Sequence, residues 1–315
     1  MSSLAEPPLF ARLRDHHRIL IAGAGGGFDV YAGLPLAHAL RAQGKQVHLA
    51  NLAFSDLDRL DIDDWLQPGL ARITPDSTGS DDYFPERTLA RWLAAQDLPA
   101  VVHAFPREGV RPVREGYRAL ADLLDLDAVV LVDGGTDILL RGDEEELGTP
   151  EEDMTSLAAV AGLDGVERLV VSLGFGIDRV CHAHVLENLA ALHRDGAYLG
   201  ALSIPPDSAE ARSYLDAVAH AQAATPLRPS IVHGQIAAAL SGEFGDVRFT
   251  DRTAGTELFV NPLMAVYLAV DLPGLARRVA YLDRLEDTET AMDVVTAIAE
   301  HRSTGERRRH RVFPH

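Results

Sequence analysis

The sequence predicts an α/β fold of three layers, with a mainly parallel, doubly wound sheet covered by helices on both faces. Three observations carry this. Short, continuously apolar runs alternate with helical patterns along the chain, and a strand that is apolar throughout must be buried on both faces. The 315 residues are 47% hydrophobic and 24% charged, enough to bury a large core without cross-links. No apolar run approaches the ~20 residues that span a bilayer. No repeat or linker divides the chain, so a single domain over 1–315 is expected, its basic tail from about 303 (Arg307-Arg308-Arg309-His310-Arg311) solvated and frayed.

The elements follow in order. Residues 18–22 are an apolar run ending in glycines, the first strand. Leu34, Leu36, Ala37 and Leu40 repeat at helical spacing over 33–43, and Gly44 stops that helix. A second strand covers 46–50. The stretch 54–85, rich in Asp, Pro, Gly and Ser, reads as a long loop of the kind that carries function. Helix 86–96 places Leu89, Trp92 and Leu93 on one face, strand 99–104 follows, then helix 114–125 and strand 127–132. Thr149-Pro150-Glu151-Glu152 predicts a helix start with Thr149 and Glu152 as a capping box. That helix runs to about 161. Strand 167–173, helix 178–194, strand 197–204, helices 208–223 and 230–241, strand 257–260 and a mostly helical 274–301 complete the chain.

Lys plus Arg number 29 against 47 Asp plus Glu, a net charge of −18. Such a surface repels phosphate backbones, so no nucleic-acid partner is expected. No membrane partner is expected either, and a homo-oligomer is compatible with the composition. The first residues lack a basic start followed by an apolar core, so no signal peptide is expected. The single Cys181 admits no internal disulfide, which suits a reducing, cytoplasmic setting.

The strongest motif is Gly23-Ala24-Gly25-Gly26-Gly27-Phe28-Asp29, directly after the first strand. Four glycines in five positions let successive N–H groups form an anion nest beside a helix N-terminus. Gly23-x-Gly25 fits half of the dinucleotide fingerprint, but Phe28 stands where the third glycine belongs, and the second strand ends in Asn51, not an acid. Asn51 could bond a hydroxyl, yet NAD is not favoured. No Gly-Lys-Ser/Thr follows, so a Walker loop is absent, and Asp29 and Asp56 would repel a polyphosphate unless a cation or arginine intervened. The fourth strand ends in Asp133-Gly134-Gly135-Thr136-Asp137 and the fifth in Leu173-Gly174-Phe175-Gly176-Ile177-Asp178. In a parallel sheet all three turns lie at the C-terminal edge, where open α/β folds bind ligands.

The set Gly-Ala-Gly-Gly-Gly-Phe-Asp-Val (23–30), Asp-Gly-Gly-Thr-Asp (133–137), Arg-Gly-Asp-Glu (141–144), Gly-Thr-Pro-Glu-Glu-Asp (148–153) and Leu-Gly-Phe-Gly-Ile-Asp (173–178) resembles the uncharacterised domain-of-unknown-function family 1152 over most of the chain. The resemblance implies a Rossmann-like fold and brings no activity with it.

Chemistry is therefore read from side chains. Asp133 and Asp137 at a strand's end could hold Mg²⁺, hold a substrate amine, or act as general base. Glu144, Glu145 and Glu146 read as a solvated charge run. Asp178 and His182, four apart on the expected helix, could form an acid/base pair; equally, Asp178 could cap that helix and His182 be a buried polar residue. His184 points elsewhere, and Cys181 reads as a small core residue. His103 closes a strand and is expected at the same edge, with Arg107 and Arg111 following as candidate anion clamps. His233 reads as a packing or capping residue. No Gly-x-Ser-x-Gly elbow and no Cys/His zinc spacing appears. The leading expectation is a small-molecule enzyme whose anionic substrate, a carboxylate or phosphate, contacts Gly23, Gly25, Gly26, Gly27, Asp29, Asn51, His103, Gly134, Gly135, Thr136, Gly174 and Gly176. The catalytic candidates are Asp133, Asp137, Asp178 and His182. The alternatives are a Mg²⁺-dependent nucleotide-binding enzyme and a non-catalytic ligand sensor.

Overall fold

A computed structural model of the chain describes residues 6–247 and 258–312. Its strands are β1 (Arg18–Gly23), β2 (Gln46–Leu52), β3 (Trp65–Gln67), β4 (Leu70–Ile73), β5 (Val102–Phe105), β6 (Ala128–Asp133), β7 (Glu167–Leu173), β8 (Tyr198–Ser203), β9 (Gly245–Asp246), β10 (Phe259–Val260) and β11 (Val266–Asp271). Its helices are α1 (Pro8–Leu13), α2 (Leu34–Ala42), α3 (Pro85–Ala95), α4 (Val110–Leu124), α5 (Pro150–Ala161), α6 (His182–Arg194), α7 (Ala209–Ala224), α8 (Ile231–Leu240), α9 (Leu272–Ala276) and α10 (Ala291–Thr304).

Among the described residues nine strands form one sheet in the order β3-β4-β5-β2-β1-β6-β7-β11-β8, and β9 pairs with β10 apart from it. β5, β2, β1, β6 and β7 run parallel, with Ala22 between Ala50 and Leu131, and Asp133 beside Ser172. Alternation along the strands supplies two cores. Leu20, Ala22, Val129 and Leu131 face the side covered by α4, α5, α6, α9 and α10. Ile19, Ile21, Val130 and Val132 face α1, α2, α3, α7 and α8. The expected three-layer, doubly wound, Rossmann-like α/β fold is what forms. Among the described residues no helix is long and apolar enough to cross a membrane.

The structure also departs from the sequence reading. Both β4 and β3 are antiparallel and extend one sheet edge from within the expected long loop. β11 was not anticipated; it lies antiparallel between β7 and β8. α6 begins at His182 rather than 178. The expected strand 257–260 appears as β10; residue 257 itself lies outside the described residues. The capping box at Thr149 does not form, because the backbone N–H and hydroxyl of Thr149 both go to Asp137 instead. The tail expected to fray is docked: Arg308 reaches Asp143 at 2.7 Å, Glu144 at 2.6 Å and Glu187 at 3.0 Å. Glu144 is correspondingly no part of a solvated run. It is fully buried and also accepts the backbone N–H groups of Arg141 and Gly142.

Candidate functional site

β1 continues to β2 on one side, whereas β6 and β7 add on the other. The strand order therefore reverses between β1 and β6, the switch point at which open α/β sheets leave a crevice. The turns after β1, β6 and β7 meet there. Ala24 donates its N–H to Val132 O at 2.9 Å, and Ser172 Oγ donates to Gly135 O at 2.6 Å, so neighbouring strands hold the turns.

Five carboxyl groups gather at this point. Asp29 follows the first glycine turn; its Oδ2 accepts the Gly25 N–H at 2.7 Å. Asp133 ends β6, 3% exposed, with Oδ2 buried and without a hydrogen-bond partner. Asp137 is held by Thr149 N at 2.8 Å. Asp178 accepts Thr136 N at 2.6 Å. Asp153, on the buried face of α5, is 1% exposed and leaves Oδ1 unpartnered. Oxygens of Asp29, Asp133 and Asp153 all lie within 4.8 Å of one another. Among the described residues no basic side chain is ion-paired with any of the five. Burial comes first in raising every one of these carboxyls above its ordinary range. Repulsion among Asp29, Asp133, Asp137, Asp153 and Asp178 adds to it, and the bonds from Gly25 and Thr149 oppose it.

The glycines make this approach feasible. A Cβ on Gly25 would stand 2.6 Å from Asp29 Oδ2 and 2.7 Å from Asp153 Oδ1, and one on Gly135 would stand 2.6 Å from Asp178 Oδ2. The first glycine turn thus makes room for carboxylates of the protein itself, and the N–H of Gly25 is already taken by Asp29. Gly26 and Gly27 adopt positive φ, +87° and +59°. The turn leads first into a 3₁₀ segment, residues 29–33, and α2 starts only at Leu34. Phe28, in the place of a third glycine, is buried against Tyr31 and Tyr83.

Several expected site residues have other partners. Asn51 is fully buried and donates to Gly27 O at 2.8 Å and to the buried Glu86 at 2.7 Å, bracing the first turn from behind. His103 lies within β5 rather than at its end, its Nδ1 3.2 Å from Leu49 O; burial pulls it down to about 4. His182 does not pair with Asp178, because residue 178 precedes the helix; its ring lies tilted against Phe175 instead, 4.9 Å between centroids. Arg111 pairs with Glu289, away from the carboxyls. Cys181 is buried against the backbone of Arg311. Gly174 and Gly176 shape the third turn with positive φ.

Two residues escaped the sequence reading as site members. Asp153 carries only a partial signal: it stands in the stretch 152–160, which α5 buries without a break. A carboxylate buried in such a helix demands a partner. Phe54 has no comparable signal; 43% exposed, it covers Gly26 from the long loop. Arg107 stacks over Phe54, 4.9 Å from the ring centre, and pairs with Glu152. Asp29, Gly25, Gly176 and Asp178 are only half-buried and form the mouth. A separate apolar cavity of about 220 Å³, lined by Leu9, Phe10, Leu36 and Tyr267 among others, contains none of these groups.

The fold and this edge define a Rossmann-like α/β protein with an acidic centre at its switch point. The chain belongs to the family described as protein of unknown function (DUF1152), whose model matches residues 20–310. No curated protein matches it.

Proposed function

We propose that the protein is a small-molecule enzyme that takes an anionic substrate, a carboxylate or phosphate, at the mouth of this edge and uses its aspartates for acid/base or electrostatic chemistry. The observation that carries the reading is the convergence of Asp29, Asp133, Asp137, Asp153 and Asp178 at the switch point without a paired base. Burying that many carboxyls costs stability, and such costs concentrate where chemistry needs them. Asp29 and Asp178 are the half-buried members and meet the substrate; Asp133, Asp137 and Asp153 set the field behind them. Arg107, half-exposed above Phe54, offers the substrate's anionic end a guanidinium. His182, which lies against Phe175, is given no part in this reading. The single cysteine and the acidic surface favour a cytoplasmic enzyme without a nucleic-acid partner.

Mass spectrometry of small molecules that co-purify with the protein, followed by turnover assays on carboxylates and phosphates, tests the reading. Asp178→Asn should lower turnover at least a hundredfold while thermal stability is kept. Full turnover in Asp178→Asn, Asp133→Asn and Asp137→Asn would reject aspartate chemistry. Binding without any conversion would identify a ligand sensor.

A further inference from the structure

We infer that Asp29, Asp133 and Asp153 form a binding site for one hard divalent cation of the Mg²⁺, Mn²⁺ or Ca²⁺ class. The inference rests on the proposed reading only in sharing its site. The ligand set differs from the Asp133 and Asp137 pair that the sequence suggests, since Asp137 is committed to Thr149.

Two independent features carry it. The first is spacing: one oxygen from each of the three carboxyls lies within 4.8 Å of the other two. Opposite oxygens stand about 4.2 Å apart across Mg²⁺ and about 4.6–5.2 Å across Ca²⁺, so a single ion can touch all three. The second is satisfaction. Asp133 and Asp153 are 3% and 1% exposed, and each leaves one oxygen, Oδ2 and Oδ1 respectively, without any hydrogen-bond donor. Buried acceptors are almost always paired, and carboxylate oxygens left this way call for a cation. Asp29 keeps the Gly25 N–H on Oδ2, which orients it and leaves lone pairs free.

The surroundings fit an ion of this class. All ligand atoms are oxygen; no thiol belongs to the cluster, and the nearby His233 ring nitrogens are both engaged, Nε2 with Phe28 O at 2.8 Å and Nδ1 with Tyr214 Oη at 2.7 Å. That donor set selects hard cations over zinc or copper. Gly25 has no Cβ, and a methyl there would press on both Asp29 and Asp153. Asp29 and Gly25 are half-buried, and we place the ion's remaining coordination positions on that side. A substrate oxygen can take one of them, which explains how an anion is tolerated above five carboxylates.

The test uses the full chain, stripped with chelator and titrated with MgCl₂, MnCl₂ or CaCl₂ by calorimetry and thermal denaturation. One ion per chain and a rise in melting temperature are expected, with affinity at least tenfold weaker in Asp153→Asn and in Asp133→Asn. The absence of binding by all three ions at millimolar concentration overturns the inference, as does unchanged affinity in both variants. Should a variant not fold, anomalous scattering from Mn²⁺ in crystals of the wild-type protein decides: a peak among the three aspartates supports the site, and a peak elsewhere overturns it. Each readout is independent of substrate. Binding without turnover therefore removes the enzymatic reading alone, and turnover without binding of any of the three ions removes the cation site alone.

Discussion

At the residue scale, the acidic centre is a balance between glycine and aspartate. Gly25 has no positive φ to protect, so the cost of Gly25→Ala is steric and falls on Asp29 and Asp153, whose oxygens lie 2.6 and 2.7 Å from the new methyl. Both carboxylates are held by packing, and the expected loss is about 1–3 kcal/mol, read as a fall of several degrees in melting temperature. Gly26→Val should be worse, because it adds a strained φ of +87° to a clash with the Phe54 ring. His233 illustrates a second kind of dependence. Fully enclosed between Tyr214 and the Phe28 carbonyl, it is held down to about 4 by burial. His233→Phe leaves both partners unsatisfied and should cost about 2–4 kcal/mol in chemical denaturation. A near-neutral outcome would mean that water replaces the imidazole.

At the scale of elements, the segment 141–149 links the tail to the site. Glu144 ties Arg308 to the backbone of Arg141 and Gly142, and five residues later Thr149 holds Asp137. Arg308→Ala leaves Glu144 buried with only its backbone donors and should cost about 2–3 kcal/mol. Addition of Glu144→Gln should recover part of that loss; a fully additive double variant would show that the two side chains are not coupled. This coupling was not legible in the sequence, because a run of arginines near a terminus reads as solvated unless its distant acidic partners are known. The central strands were legible, since five short, mostly apolar runs alternating with helical patterns call for a buried parallel sheet. The edges were not. β3 and β4 are three and four residues long, and their pairing, β4 antiparallel onto β5 and β3 antiparallel onto β4, is decided by tertiary contact rather than by local pattern. The start of α6 was placed four residues early because Asp178 looks like a cap, whereas its carboxylate is drawn to Thr136 across the turn. Of the site, the three glycine turns and Asp29, Asp133, Asp137 and Asp178 could be read from spacing. Asp153 could be read only in part, for its role depends on which helix face meets the first glycine turn, seen in Ser156 Oγ donating to Ala24 O.

At the scale of the whole molecule, two sets of buried groups tilt stability with pH in opposite directions. His103 and His233 sit at about 4 in the folded chain, below the ordinary 6.5. The unfolded chain takes up their protons first, so their contribution is lost as pH falls from 6.5 toward 4. The acidic centre has the reverse sign. Its carboxyls are raised, so the folded state retains protons that the unfolded chain has released, and stability is lost as pH rises above the ordinary carboxylate value. Above pH 6.5 only the second slope remains, at most about 1.4 kcal/mol per pH unit for each titrating carboxyl. Denaturation of the chelated protein between pH 6.5 and 8.5 should therefore show stability declining, with a shallower decline in Asp133→Asn. A flat or rising curve would contradict the raised carboxyls.

The position of β11 has a consequence for biosynthesis. β7 and β8 point the same way but never touch, because the sheet reserves the place between them for a strand made more than sixty residues after β8 begins. Until Val266–Asp271 leaves the ribosome, the nascent chain carries β7 with one bare edge and β8 with no partner at all. Bare, apolar strand edges recruit the wrong neighbours. Val266–Asp271 thus acts as a keystone laid from inside the arch, and a message interrupted before codon 266 should yield an insoluble product even though every residue of the acidic centre has already been translated.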